Sequence, residues 1–237
     1  MKTHLKVSPS TLENYRTCVL GKYGKTVADF IQKLDEPWVK TEPQSKGEAY
    51  HKLLEFGGLT YKEINKEGVT QYRVNDPEMR IDWIFNEAQA APALATFTNH
   101  PDKQHEVWGS LNFDLTNYIV KMSLRIDALD KFSIWDYKTT GSKYAPKKET
   151  YCESVQWPLY MKAYPDSTNF RYRVFHLHDL TCDQYDYIFD KDPAREEYAI
   201  RWLTHLVDFA ERENIIEKFI HHTPANNDSV RNRNAAS

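Results

Sequence analysis

Apolar and polar positions alternate roughly every second residue from Val107 to Leu115 and again from Tyr118 to Leu129. A period of two marks a strand with one buried face, so both segments are predicted strands. Phe132 to Lys138 predicts a third strand, and Phe170 to Leu177 and Tyr185 to Phe189 predict two more. Elsewhere the period lengthens. Ile200, Leu203, Leu206, Val207, Ala210 and Ile215 recur at helical spacing and predict one long helix from Pro193 to Phe219. A shorter helix is expected from about Ser154 to Ala163. The N-terminal part reads as helical. Ser10-Thr11-Leu12-Glu13 has the pattern of a capping box, and Thr26 to Leu34 is amphipathic. Ser45-Lys46-Gly47-Glu48 is expected to open a helix that Gly57-Gly58 closes after Phe56. Asp76-Pro77-Glu78 supplies a cap, a first-turn proline and an acid for a helix to about Ala91, which Pro92 breaks or restarts.

This order of helices, strands, a helix, strands and a helix predicts an α/β fold: one central mixed β-sheet flanked by helices, with a helical N-terminal part and a long C-terminal helix. Residues 1–220 are expected to form a single domain. The polar run 221–237 has too little apolar surface for a core and is expected to be a disordered tail.

Composition narrows the classes. Hydrophobic residues at 41% and charged residues at 27% exclude a disordered polymer and a membrane bundle. The longest apolar stretch free of Lys, Arg, Asp and Glu, Ala88 to Pro101, is too short to cross a bilayer. No charged-then-apolar signal segment opens the chain, and Cys18, Cys152 and Cys182 are too scattered for a disulfide scaffold or a CxxC metal pair. A reducing, cytoplasmic setting is therefore expected. With only 8 glycines there is no Gly-rich phosphate loop. The net charge of −3 means that any nucleic-acid contact must use local basic patches.

The chemistry is concentrated around one predicted hairpin. If Asp130-Lys131 is a two-residue turn, Leu129 faces Phe132 and Asp127 faces Ile134. Asp136 then lies on the same face as Asp127, diagonally across at about 7–8 Å. Lys138, two residues further, shares that face. Two carboxylates offer hard oxygen ligands to Mg²⁺ or Mn²⁺, and a neighbouring lysine can orient an attacking water and stabilise a phosphate. A one-residue change in the loop would separate them. Taken without context, Asp and Lys around a hairpin are more often solvated surface.

Asp127 followed by Trp135-Asp136-Tyr137-Lys138-Thr139-Thr140 resembles the Asp…Asp-x-Lys core of the PD-(D/E)XK nuclease superfamily, in the form found in its RecB-like exonucleases. Gly47-Glu48-Ala49-Tyr50-His51 is similar to that group's GxxxH helix. Gln156-Trp157-Pro158-Leu159-Tyr160 is similar to its QxxxY helix, and Ser8-Pro9-Ser10-Thr11-Leu12 with Cys18 to its N-terminal helix. The resemblance spans roughly residues 8 to 178. It implies a restriction-endonuclease-like core and a metal-dependent deoxyribonuclease, an exonuclease on single strands or duplex ends, acting in repair, recombination or phage DNA processing. It further implies that His51 ligates Mg²⁺ or Mn²⁺ beside Asp127 and Asp136, that the Tyr137 carbonyl completes the shell, and that Lys138 assists catalysis. Gln156 and Tyr160 share a helix face and would border the site, although Pro158 between them delays that helix in prospect.

Some positions depart from the pattern. Leu124 stands where the family usually has glycine, and Gly141 follows Thr140 rather than Thr139. The cysteine cluster of iron–sulfur members is absent, so no cluster is expected. Glu106 is read as an acid near the site with a structural role. Lys138, Lys143, Lys147 and Lys148, with Tyr144 among them, are candidate phosphate and base contacts or a solvated loop. Asp179, Asp183, Asp186, Asp190 and Asp192 lack EF-hand spacing and are read as turn and strand-edge residues. No helicase motif is present, so a stand-alone enzyme or one subunit of an assembly is expected, in a bacterial or phage-infected cell, with a possible repair or recombination partner. The alternative from another class is a catalytically silent DNA-binding or scaffolding subunit with the same fold.

Overall fold

The computed structural model describes residues 2–57, 60–99 and 103–221. A six-stranded mixed sheet forms the centre, built from β1 (Thr3–Val7), β5 (Gln104–Asp114), β6 (Tyr118–Leu129), β7 (Ser133–Thr140), β8 (Asn169–Leu177) and β9 (Cys182–Asp190). The β6–β7 and β8–β9 pairs are antiparallel and the β7–β8 pair is parallel. The five predicted strands are all here. The expected α/β architecture, a central mixed sheet between helices, is what the chain adopts.

Two layers of side chains cover the sheet. On one face α1 (Pro9–Val19), α2 (Val27–Asp35), α6 (Gln156–Ala163) and α7 (Pro193–Arg212) bury Leu12, Tyr15, Phe30, Leu159 and Leu203 against Val120, Leu124, Ile126 and Phe170. On the other, α3 (Glu42–Phe56) and α4 (Glu87–Asn99) pack Tyr50, Leu53 and Ala93 against Ala128, Trp135 and Phe175. Two short helices, α5 (Lys148–Cys152) and α8 (Glu217–His221), complete the set.

Several expectations are corrected. The chain opens with strand β1, paired in parallel with β6, before any helix. The cap of α1 is Ser8, whose hydroxyl accepts from the Thr11 N–H, with Pro9 in the first turn. Glu13, placed by the sequence reading in a capping box, instead accepts from the Val155 N–H at 2.8 Å and pairs with Arg16. Helix α3 starts at Glu42, with Thr41 and Gln44 forming the capping box. Ser45 lies inside α3, buried, where it accepts from Trp83 Nε1 and donates to Asp76.

The largest correction concerns residues 62–91. No helix follows Asp76. A three-stranded antiparallel sheet, β2 (Lys62–Ile64), β3 (Thr70–Asp76) and β4 (Ile81–Asn86), packs beside α3, and the helix begins only at Glu87. The carboxylate of Asp76 does accept from the backbone N–H groups two and three residues on, at Glu78 and Met79. An N-cap uses the same contacts. Here they close a hairpin turn, with Arg80 in the left-handed region at φ 56°. Pro92 neither breaks nor restarts α4, which runs through it to Asn99. The predicted C-terminal helix ends at Arg212, because Asn214 takes φ 57° and separates α7 from α8. Apart from His221 at the end of α8, the tail expected at 221–237 lies outside the described residues.

Candidate active site

Strand β5 covers one edge of β6 along nearly its whole length. The other edge is shared. β1 pairs with Tyr118–Met122 and β7 with Ala128 and Leu129 only. Residues 123–127 therefore have no strand partner on that edge, and the sheet opens there. Asp127 stands at the lip of the opening. The apolar side of β6 also changes layer at this point: Leu124 and Ile126 pack with α1 and α7, whereas Ala128 packs with α3.

The pairing of β6 with β7 is shifted by two residues from the predicted register, with Leu129 opposite Ile134 and Ala128 opposite Trp135, and the Asp130 N–H donates to the Ser133 carbonyl across Lys131-Phe132. The difference arises because Asp130 accepts from the Phe132 and Ser133 N–H groups and from Trp135 Nε1, which moves the turn on to Lys131-Phe132. A shift of two keeps the parity of facing side chains. Continued by one step, this register sets Asp127 directly across from Asp136 instead of diagonally. The carboxylate of Asp127 takes the place of a ladder bond, accepting from the Tyr137 N–H at 2.6 Å. The N–H and C=O of one strand residue leave toward the same neighbour. The Tyr137 carbonyl is therefore turned to the same opening.

Asp136 is 4% exposed, and its Oδ2 lies 2.6 Å from Lys138 Nζ. Among the described residues the Lys138 ammonium is the one group that meets Oδ2. Burial pushes the Asp136 carboxyl up to about 6, with Lys138 opposing the shift and the Asp127 charge adding to it. Burial likewise raises Asp127, against the pull of Lys138 and of the Tyr137 N–H. Burial works against the charge of Lys138, but Asp136 and Asp127 together hold its ammonium above the ordinary lysine value. Its side chain keeps 39% of its surface open to solvent.

His51 reaches the site from α3, its ring edge-on to Tyr137 at 6.2 Å between centroids. Burial and then the Lys138 charge push its imidazole down to about 4, so it is neutral at pH 7 with a free lone pair. Gly47, one turn earlier, makes this approach possible. A Cβ at that position would stand 2.7 Å from Thr139 Oγ1 on β7. Glu48 points elsewhere, to Lys40 at 2.6 Å.

From α6, Tyr160 stacks on Phe170 at 5.8 Å, nine-tenths covered, and burial followed by the Asp136 charge raises its phenol. It is a neutral donor beside the carboxylates. Gln156 opens the same helix with Pro158 inside the first turn, so the proline does not delay it. Glu106 falls opposite Asp127, between the His105–Ala128 and Val107–Ile126 pairs, with a left-handed φ of 50° and 3.7 Å from Arg125. Lys143, Tyr144, Lys147 and Lys148 are all exposed on the segment leaving β7.

A cleft of about 540 Å³ lies beside α3, lined by Lys46, Gly47, Thr139, Thr140 and Trp83 on β4. Lys46 Nζ lies 5.8 Å from the Trp83 ring centre. Sequence reasoning missed this wall because it assigned the Trp83 segment to a helix. The alternation of Tyr72 and Val74 before the turn was the available signal.

Two buried carboxylates, a neutral imidazole and an inward carbonyl make a donor set that fits a hard divalent cation. The family model of the PD-(D/E)XK nuclease superfamily matches residues 6–226. No curated protein matches the chain. Among solved structures, the chain is similar to one titled "Crystal structure of SSO0001", at 11% identity and a TM-score of 0.47, over 88% of this chain and 78% of that one. Members of the superfamily are nucleases that generally use divalent ions such as Mg²⁺ or Mn²⁺. With the family model covering nearly the whole chain, and its fold in place, the protein belongs to the PD-(D/E)XK nuclease superfamily.

Proposed function

We infer that the protein is a metal-dependent deoxyribonuclease of the RecB-like kind, an exonuclease acting on single strands or duplex ends. The observation that carries this reading is the buried Asp136 carboxylate, 2.6 Å from the Lys138 ammonium and opposite Asp127. Asp127, Asp136, His51 and the Tyr137 carbonyl would hold Mg²⁺ or Mn²⁺, with the imidazole favouring Mn²⁺. Such an ion, when bound, supplies Lewis acidity that makes water nucleophilic at neutral pH and neutralises phosphate charge.

The remaining steps belong to the chain. Lys138, held as an ammonium by its two acidic neighbours, directs its positive charge at the phosphate and orients the attacking water. The neutral phenol of Tyr160 donates to the phosphate or to the Asp136 carboxylate, and Gln156 lies one turn before it on the same helix. Lys143, Lys147 and Lys148 contact backbone phosphates, and exposed Tyr144 offers a stacking surface to a base. Lys46 and Trp83 repeat that pairing of charge and ring along the cleft. The order of the four motifs supports the RecB-like assignment, and with it a role in repair, recombination or phage DNA processing in a bacterial or phage-infected cell, alone or with a protein partner.

The test is end-labelled linear DNA, circular DNA and RNA, single- and double-stranded, incubated with the purified chain under Mg²⁺, Mn²⁺ or chelator. Linear DNA is expected to be shortened from its ends with either ion, circles to survive, and chelator to stop the reaction. Binding of DNA without cleavage under either ion would assign a scaffolding role instead.

A further inference from the structure

The β8–β9 hairpin gathers three side chains that take no part in the site above. His176, near the end of β8, stands opposite Asp183 on β9, and His178 follows two residues later. The His178 N–H donates to the Thr181 carbonyl at 2.9 Å, which closes the turn tightly. One nitrogen of each imidazole and one carboxylate oxygen of Asp183 all lie within 4.8 Å of one another. The two rings are 4.1 Å apart at their centres, and His178 Nε2 is 3.0 Å from Asp183 Oδ2. Reading Asp183 as a strand-edge residue placed it correctly but gave no hint of this company, because the register that brings His176 to it is a property of the folded hairpin.

His176 is the informative member. It is 2% exposed, and its Nε2 is bonded to the Ser142 carbonyl. A carbonyl only accepts, so Nε2 carries the proton of that bond and Nδ1 is the nitrogen left for another partner. Nδ1 is buried and has no hydrogen-bond partner among the described residues. Buried polar atoms are nearly always satisfied, so an unpartnered ring nitrogen on a member of a cluster of two imidazoles and a carboxylate calls for a partner.

We propose that His176, His178 and Asp183 bind a transition-metal cation of the Zn²⁺ type at a second site, separate from the carboxylate opening. Two imidazole nitrogens and one carboxylate favour Zn²⁺ and its late first-row neighbours over Mg²⁺. Three protein ligands leave a further position for water. The Ser142 carbonyl is the outer partner that fixes the tautomer of His176. On binding, the direct His178–Asp183 hydrogen bond is replaced by contacts of both groups to the cation. His176 pairs with Thr140, whereas Tyr172 pairs with Asp136. The second site is thus four residues further along β8, on the order of 13 Å at the usual strand rise. Through Ser142 it anchors the start of the segment that carries Lys143 and Tyr144.

The experiment uses the full chain stripped with chelator and titrated calorimetrically with Zn²⁺, with Co²⁺ as an absorbance probe. The Asp136→Ala background removes the carboxylate site. His178→Ala and Asp183→Asn are the informative variants, since both side chains are partly exposed and their loss leaves the core intact. Wild type and Asp136→Ala are each expected to bind Zn²⁺ and to develop ligand-field absorbance with Co²⁺. In the same background His178→Ala and Asp183→Asn are expected to weaken Zn²⁺ binding by about tenfold or more and to lose that absorbance. Undiminished Zn²⁺ affinity in both variants, or loss of all binding in Asp136→Ala alone, would overturn the proposal.

Discussion

Gly47 on α3 and Thr139 on β7 approach so closely that a methyl group on the glycine would lie 2.7 Å from the threonine hydroxyl. This contact sets the height of α3 over the sheet, and His51 is one turn further along the same helix. Gly47→Ala must push either α3 or Thr139 away. Displacements of this kind at a catalytic site cost up to about a hundredfold in rate. Gly47→Ala is expected to lower kcat at least tenfold by that reasoning, and Thr139→Ala in the same chain to restore much of it. A double-mutant cycle on DNA cleavage measures this. Additive effects of the two changes would show that the contact does not position His51.

Asp136 predicts an unusual stability profile. Its folded pKa of about 6 lies above the ordinary carboxylate value of 3.8. The folded state therefore holds the proton more tightly, and metal-free stability falls as pH rises from about 4 to about 6. Asp136→Asn is expected to raise the thermal midpoint of the chelated protein at pH 7, with no gain at pH 4. Mn²⁺ is expected to raise the midpoint of the wild type and not that of the variant. Thermal scans with and without chelator test both statements.

Asp76 has the opposite sign. Burial alone would raise it, but Lys40 at 2.7 Å, Ser45 and the Met79 N–H hold it well below the usual range. Its stabilisation is complete above about pH 4 and is lost as pH falls through the depressed pKa. Asp76→Ala takes one of two close carboxylates from Lys40, leaving Glu48 at 2.6 Å, strands the Ser45 hydroxyl, and is expected to cost about 1–3 kcal/mol at pH 7. Urea unfolding at pH 7 and pH 3 should show the penalty shrinking in acid.

His51→Ala removes a neutral imidazole donor and leaves both carboxylates in place. The Mn²⁺ concentration for half-maximal cleavage is expected to rise about tenfold or more, by analogy with the loss of other metal-site contacts. The DNA dissociation constant is expected to stay within about twofold, because His51 carries no charge for phosphate at pH 7. Filter binding and a metal titration separate the two.

The central sheet was legible because β6 alternates buried and open positions and β7 and β8 are buried on both faces, signals that survive without tertiary context. The pair Asp127 and Asp136 was legible for the same reason. The predicted register was two residues off, yet an even error leaves facing residues facing. Other elements were hidden by chemistry that serves two structures equally. Asp76 caps backbone N–H groups as it would at a helix start, but in a hairpin. β1 is only Thr3–Val7 and gains its stability from parallel pairing with β6, which no local pattern announces. The cleft wall at Trp83 was lost with the β3–β4 hairpin. Why Gly47 must be glycine became visible only when α3 and β7 were seen in contact.

Cleavage of labelled linear DNA in Mn²⁺ by Asp136→Ala and by Lys138→Ala, measured under single-turnover conditions beside DNA binding and circular dichroism, tests the central claim most directly. Both variants are expected to lose cleavage by about a thousandfold or more, in keeping with the loss of electrostatic stabilisation at a reacting phosphate. Both should keep the wild-type spectrum and bind DNA. Wild-type cleavage by either variant would contradict the account.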